Sequence, residues 1–204
     1  MRQKSLWNGV KILKNGENKK QKKKEGMDMK KIVSIVIGLV LMLTVVGCQN
    51  GKKAAENDVK DSMQALQKGD FSKLNYDKES IEALEIFGGA YKKITYKINK
   101  TTEESKDKVL VNVTMKYPDL SEAGKIFKDK IIKVAEQLAG KSDAEVEEKS
   151  KQFLREAINE KLNDPNLKYL EETFDMVYVK QDGNWELENN NPQFNKVMSF
   201  NYQM

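Results

Sequence analysis

The strongest constraint on the fold is a strict alternation of apolar and polar side chains in the middle of the chain. From residue 109 to residue 117 every second residue is apolar: Val109, Val111, Val113, Met115 and Tyr117. Successive side chains of a β-strand point to opposite faces, so this pattern predicts a strand with one buried face. The same alternation occurs at Ile94, Tyr96 and Ile98. The polar stretch between the two runs makes a hairpin the simplest connection.

Helical patterns lie on both sides of this hairpin. Before it, a helix is predicted from a cap at Asn57 or Asp58 to Gly69, and a second short helix is predicted to end at Gly88-Gly89. After Pro118, two amphipathic helices are predicted, the first of which ends at Gly140. The second begins at an S-x-x-E capping box at 142–145. Two such helices joined by a tight turn form an αα-hairpin.

A second pair of strands follows the helices. The third strand is predicted from Leu167 to Lys180, and an Asp-Gly turn leads into a fourth strand that carries Trp185. On one face of the third strand lie four large side chains with Glu172 among them: Leu170, Phe174, Met176 and Tyr178. The tail after Pro192 is predicted to add a turn of helix or to cover a sheet edge.

An apolar run near the start of the chain predicts where the protein is located. The run extends from Ile32 to Val46, follows Lys30 and Lys31, and is shorter than the roughly 20 residues that a spanning helix needs. It ends in the sequence VVGC, which resembles the lipobox of bacterial lipoproteins. The resemblance implies that the Cys48 thiol receives a diacylglyceryl group, that the chain is cut between Gly47 and Cys48, and that the new amino terminus of Cys48 can also be acylated, with fatty acids such as palmitate. The alternative is a plain signal-anchor helix with a chance cysteine near its end.

The lipobox divides the chain into four predicted parts. Residues 29–47 form a lipoprotein signal peptide, residues 48–56 form the lipidated cysteine and a polar tether, and residues 57–204 form an extracytoplasmic domain. Residues 1–28 are Lys-rich and have no hydrophobic period. The codons of residues 24–26 are compatible with a purine-rich ribosome-binding sequence, so we predict that translation starts at Met29, or less favourably at Met27. The alternative is a real, disordered basic extension.

Composition excludes several classes of chemistry. The chain has no histidine and one cysteine, so it cannot form Cys/His zinc sites, Ser-His-Asp triads or an internal disulfide. Its formal net charge is +5, but eleven basic and three acidic residues precede Cys48, which leaves a net charge of −3 from Cys48 onward. That part has no cluster of Lys and Arg to follow phosphates. We therefore predict no nucleic-acid partner, no metal and no cofactor.

The order of elements resembles that of a known family. The first helix runs into the sequence QALQKGDFSKL, a hairpin of long strands follows, and the sequence DGNWEL forms the last hairpin. Over about residues 55–190 this is similar to the nuclear-transport-factor-2-like (cystatin-like) domains of small lipoproteins in Gram-positive bacteria. The resemblance implies an α+β fold. Its curved antiparallel sheet has about four strands, is packed by N-terminal helices and carries the αα-hairpin as an insertion.

The family resemblance also suggests a pocket. Other families with this fold use a carboxylate base and tyrosine donors inside an enclosed cavity. The candidate pocket residues here are Glu172, Phe174, Tyr96, Tyr117 and Tyr178. A register slip that turns Glu172 toward solvent is the plainer alternative, so we assign no catalytic residue.

Three functions follow from these observations. The first is a non-catalytic binding module, tethered to the cell membrane, that contacts a small ligand or an envelope component through the open face of its sheet. The second is a pocket isomerase or hydrolase that uses the carboxylate. The third is an interaction module that docks on an envelope protein through the helical pair between Ser121 and Leu162. A large exposed apolar patch on that pair would favour the third function.

Overall fold

The alternating strands form a four-stranded sheet in a computed structural model that describes residues 50–74, 78–188 and 191–202. The strands are β1 (Thr95–Ser105), β2 (Lys108–Pro118), β3 (Tyr169–Gln181) and β4 (Asn184–Leu187). They pair in the order β1-β2-β3-β4, and every pair is antiparallel. The α+β prediction is confirmed. The signal peptide, Gly47 and Cys48 lie outside the described residues.

Six helices accompany the sheet in the described parts of the chain. They are α1 (Gly51–Lys68), α2 (Lys78–Ile86), α3 (Gly88–Tyr91), α4 (Ala123–Leu138), α5 (Asp143–Leu162) and α6 (Pro192–Met198). A 3-10 turn at Phe71–Leu74 joins α1 to the segment before α2. The predicted αα-hairpin is confirmed as α4 and α5, with the capping box at Ser142 and Glu145. The tail forms α6, which begins at Pro192 after the cap residue Asn191.

One face of the sheet, which we call the covered face, packs against the helices. The alternating residues of β2 from Val109 to Tyr117 are all fully buried there. Helices α1, α3 and α6 contact the sheet. The opposite face, which we call the open face, carries Leu110 and the polar residues Asn112, Thr114 and Lys116 of β2.

The first helix begins earlier than predicted. The side chain of Asn50, rather than Asn57 or Asp58, accepts a hydrogen bond from the backbone of Lys52 and caps α1. Residues 51–56, which we predicted as part of a polar tether, therefore lie in a helix. Ala54 and Ala55 explain the difference, because both are fully buried in the core.

One other boundary was wrong. The polar stretch after Ile98 is not a loop, because β1 continues to Ser105 and pairs with β2 through two register shifts. The second helix ends at Ile86, within two residues of the predicted Gly88-Gly89, and these glycines begin the additional short helix α3. A Cβ on Gly89 would lie 3.1 Å from Cδ1 of Leu162, so the glycine allows α3 to approach α5 closely.

The packing of Gly51 gives a test of the earlier helix start. A Cβ added at Gly51 would overlap the indole ring of Trp185, which is buried under α1. We expect Gly51→Ala to lower the free energy of unfolding by about 1–3 kcal/mol, measured by urea denaturation. Lys52→Ala, at an exposed neighbour, serves as the control and should have little effect. Equal stability of the two variants would show that residue 51 belongs to a tether after all.

Candidate functional site

The predicted pocket residues all lie on the covered face. Tyr96, Met115 and Glu172 are cross-strand neighbours on β1, β2 and β3. Tyr117 on β2 and Tyr178 on β3 lie on the same face and are fully buried. Phe174, also on this face of β3, packs edge-to-face against Phe194 of α6. The predicted register of β3 is therefore observed.

Glu172 is held by an ion pair. Its carboxylate lies 2.6 Å from the Nζ of Lys196 on α6, and its side chain is 26% exposed. Burial, with the charges of Glu172 and Asp119 as smaller contributions, raises the pKa of Tyr117 to about 12. The Tyr117 hydroxyl is buried and has no hydrogen-bond partner among the described residues. Glu172 is thus a partly exposed, paired carboxylate rather than a base enclosed by apolar side chains.

The buried carboxyl group of the covered face is instead Asp58 on α1. The Tyr178 hydroxyl donates a hydrogen bond of 2.7 Å to Oδ2 of Asp58, and Oδ1 is buried without a partner among the described residues. Burial raises the pKa of Asp58 to about 6, against the lowering effect of the bond from Tyr178, and Asp61 raises it slightly further. Burial also raises the pKa of Tyr178, with Asp58 as the second cause.

The sequence pattern around Asp58 indicates a buried acid, but we interpreted Asp58 as a possible helix cap. Asp58 lies one turn after Ala54 and one turn before Ser62, and all three are buried. A carboxylate in the middle of a buried stripe is rare in proteins unless it is paired. Its position therefore indicated a buried acid once the helix was known to begin at Gly51.

The Asp58–Tyr178 pair is closed to solvent. Asp58 is 6% exposed and Tyr178 is 0% exposed. On the same cross-strand row, Tyr178 is flanked by Val109 and Leu187, which are both buried. A substrate could reach this pair only after α1 moved away from the sheet.

The αα-hairpin is fixed to the rest of the domain at its base. Leu154, Ile158 and Leu162 of α5 belong to the main core. Lys161 pairs with Glu122, just before α4, at 2.6 Å and with Asp164 at 3.0 Å. These contacts hold the last turns of α5 and the first turn of α4.

A second cluster of ion pairs joins α5 to α2. Lys151 is a buried residue whose Nζ lies 3.3 Å from the carboxylate of Glu82 on α2 and 3.1 Å from that of Glu147 on α5. Burial alone would lower the pKa of Lys151, but its carboxylate partners raise it overall. The lysine is therefore charged, and removal of Glu82 would leave it with fewer partners in a buried place.

The tip of the hairpin lies outside these contacts. The first turns of α5, residues 143–150, contain no buried residue, and α4 makes its main contacts with α5. Among the side chains of α4 that the structure describes, only Ala123 is buried.

The outer helix α4 carries more apolar surface than α5 covers. None of its six large apolar side chains is buried: Ile126, Phe127, Ile131, Ile132, Val134 and Leu138. Phe127 packs against the main core, whereas Ile132 is 58% exposed. The other five side chains are half-buried. An apolar stripe that the fold covers only in part is typical of a surface that another molecule covers.

Charges are distributed unevenly over the hairpin. Lys130 of α4 pairs with Glu156 and Glu160 of α5 at 3.6 and 3.2 Å. Three further lysines of α4 are exposed and have no ion pair to another described residue: Lys125, Lys128 and Lys133. The first turns of α5 carry the exposed carboxylates of Asp143, Glu145 and Glu148, of which Glu145 lies 3.2 Å from Lys141 and Glu148 lies 3.4 Å from Lys151. Asp129 on α4 and the lysines at 141 and 149 reduce the contrast, but lysines outnumber acids among the described side chains of α4, and acids outnumber lysines from residue 141 to residue 150.

The open face of the sheet carries a connected row of polar groups. Asn99 Nδ2 donates hydrogen bonds of 2.9 Å to Asn112 Oδ1 and to Thr114 Oγ1. Asn112 Nδ2 donates to Asp175 Oδ1 at 2.6 Å, and the hydroxyls of Thr114 and Thr173 lie 2.8 Å apart. These side chains satisfy one another and face water, as expected for the solvated side of an antiparallel sheet.

The described residues contain no group of three or more acidic or cysteine side chains arranged to hold a metal ion. Within the same residues, none of the helices has the length and apolar character that crossing a bilayer requires.

Comparisons with known proteins add little. No protein-family model matches the chain, and no curated protein matches it. Among solved structures, the chain is similar to the crystal structure of ycdA, a candidate lipoprotein of Bacillus subtilis, with a TM-score of 0.40 and 20% identity. The match covers 73% of this chain and 47% of that one, so the chain spans about half the length of ycdA. A similarity of this size carries no argument about fold or function.

Proposed function

We propose that the protein is a membrane-anchored, extracytoplasmic lipoprotein of a Gram-positive cell envelope that acts as a non-catalytic interaction module through its αα-hairpin. The interaction role of the αα-hairpin rests on one observation: none of the six large apolar side chains of α4 is fully buried. A helix that folds only as a scaffold would bury such side chains, because each fully buried one stabilises a fold by about 1.5–3 kcal/mol. The exposure of Ile132 and the incomplete burial of the other five support a surface that is covered by another molecule.

The proposed anchor is the acylated Cys48. Two or three acyl chains would hold the protein on the membrane, since each buried methylene contributes about 0.8 kcal/mol. Gln49 and Asn50 alone separate Cys48 from the start of α1. At about 3.5 Å per residue, the domain would lie within roughly 10 Å of the lipid surface. A domain held so close to the lipid surface suits an envelope protein as partner better than a distant wall component.

The anchor has a direct test. We expect Cys48→Ser to abolish labelling with palmitate and to leave an unprocessed precursor, because the serine hydroxyl cannot take the place of the thiol. The measurement is metabolic labelling followed by gel electrophoresis, with the exposed substitution Ser105→Ala as a control that should keep both labelling and processing. Labelling that persists in Cys48→Ser would overturn the lipoprotein assignment.

The hairpin has a separate test. We expect the wild-type chain, extracted from membranes with a mild detergent, to migrate on a native gel as a complex larger than one chain. Ile132→Glu should shift the chain toward the size of a monomer, since it places a charge in the middle of the apolar surface. Tyr169→Glu changes the other large exposed apolar residue, which is 41% exposed and lies on the open face, and should leave the complex intact. Equal migration of all three proteins would refute docking through α4.

A pocket enzyme is the second candidate, and Asp58 is the observation that favours it. An acid with a pKa near 6 beside a tyrosine hydroxyl is a chemically reasonable acid–base pair. The pair is enclosed by α1 and the sheet, so this function would require α1 to open. Glu172, our candidate from the sequence, is the weaker base because Lys196 pairs with it.

The nuclear-transport-factor-2-like assignment is part of the proposal. It is supported by the helices that cover one face of an antiparallel sheet and by the final hairpin of β3 and β4 around the Asp-Gly turn. The helical pair α4 and α5 is then an insertion between β2 and β3 that carries the docking surface.

A further inference from the structure

The hairpin has the charge pattern of a self-complementary surface. Helix α4 runs from the base of the hairpin to its tip, and α5 returns from the tip to the base. The lysines that lack an ion pair to a described residue lie along α4 from Lys125 to Lys133, whereas exposed carboxylates lie at the start of α5 from Asp143 to Glu148. Within one chain, the acidic tip is separated from the basic first turns of α4 by most of the length of that helix.

Antiparallel packing of two hairpins would bring these opposite charges together. The tip of one hairpin would then lie against the base of the other, and its carboxylates would face the other copy's lysines. A two-fold axis makes both halves of such an interface equivalent, so one chain supplies both patterns. Ile132, near the middle of α4, would lie close to this axis and meet the same residue of the second copy.

The apolar side chains have the arrangement that such an interface needs. The stripe of Phe127, Ile131, Val134 and Leu138 recurs at helical spacing and is only partly covered by α5. Two amphipathic helices leave both sides of their shared stripe open to water, and four helices close it, as in antiparallel four-helix bundles. A second hairpin therefore covers the surface without any change in the fold.

We infer that the partner of the hairpin is a second copy of this chain, joined in an antiparallel four-helix interface between two αα-hairpins. The inference rests on the proposed function, because it names the occupant of the surface that the function assigns to docking. A membrane anchor favours it further, since two chains confined to one membrane meet at a higher effective concentration than free chains do.

Thiol crosslinking in membranes tests the inference on the intact, anchored protein. The sequence has one cysteine, Cys48, whose thiol is blocked by the diacylglyceryl group in the proposed lipoprotein. We expect Ile132→Cys to give a disulfide-linked product of twice the chain mass under mild oxidation. Tyr169→Cys is the matched control at another exposed apolar position, and it should give at least about tenfold less of this product.

A charge reversal provides the second measurement. In the Ile132→Cys background, Lys128→Glu should lower the yield of the double-mass product several-fold, and the addition of Glu148→Lys should restore it. Both side chains are exposed, but the Glu148 carboxylate also lies 3.4 Å from Nζ of the buried Lys151, so urea denaturation of each variant accompanies the crosslinking and confirms that the domain is folded. Yields that fail to recover would overturn the antiparallel arrangement.

The outcomes separate the inference from the function on which it rests. A double-mass product from Ile132→Cys supports the second copy. A product of another mass at position 132 overturns the second copy and supports docking on a different envelope protein. No product above the Tyr169→Cys control would overturn the second copy but not docking on a protein that has no thiol at the contact, which the native-gel comparison of Ile132→Glu with the wild type tests.

Discussion

Asp58→Asn is expected to gain about 2.5 kcal/mol in free energy of unfolding, relative to the wild type, when the pH is raised from 4 to 7. Burial raises the pKa of Asp58 from 3.8 in an exposed chain to about 6 in the fold. Well below pH 3.8 the carboxyl group is protonated in both the folded and the unfolded state, and it does not destabilise the fold. As the pH rises toward 6, the unfolded chain loses this proton before the folded chain does, so the free energy of unfolding of the wild type falls. Asparagine has no proton to lose, and the penalty disappears.

The measurement is urea denaturation of both proteins at a series of pH values between 3 and 7. Asp119→Asn is a control with the opposite sign. Burial alone would raise the pKa of Asp119, but hydrogen bonds from Ser121 and Asn201 lower it overall. The contribution of Asp119 to stability is therefore lost as the pH falls. A stability difference between wild type and Asp58→Asn that stays constant across this range would contradict a buried, ionisable Asp58.

The second large effect concerns the hydroxyl group of Tyr178. We expect Tyr178→Phe to lower the free energy of unfolding by about 2 kcal/mol at pH 7, because it removes the donor to a buried carboxylate and leaves that carboxylate without a partner. The loss should be smaller at pH 4, where Asp58 is protonated. Denaturation at the two pH values measures both results.

Tyr117→Phe is a matched control for this experiment. Tyr117 is also fully buried on the covered face, but its hydroxyl has no partner among the described residues. Its removal takes away an unsatisfied polar group and should be neutral or slightly stabilising. If the two variants lost equal stability, the bond between Tyr178 and Asp58 would have no special energetic role.

The elements that the sequence predicted well have patterns that are local. The alternation from Val109 to Tyr117 places every apolar residue of β2 on one face, and the observed burial follows it. The capping box at Ser142 also involves neighbours in the chain, and it forms with both of its hydrogen bonds. The register of β3, and with it the position of Glu172 on the covered face, followed from the same period-two argument.

What the sequence did not reveal depends on contacts between distant parts of the chain. Residues 51–56 have the composition of a polar tether, and they form the start of α1 because they pack against Trp185 and the core. The pairing of Asp58 with Tyr178 joins residues that are 120 positions apart. The ion pair between Glu172 and Lys196 likewise depends on where the last helix folds back. No periodicity within one segment contains this information.

The central claim is that another protein chain covers α4 when this protein is anchored to the cell membrane. Photo-crosslinking tests it most directly, with a photoreactive phenylalanine analogue at position 132 in one strain and at Lys97, on the open face, in another. We predict a discrete crosslinked product from position 132 after irradiation of intact cells, and little or none from position 97. Equal crosslinking at the two positions, or a product from position 97 alone, would contradict the account.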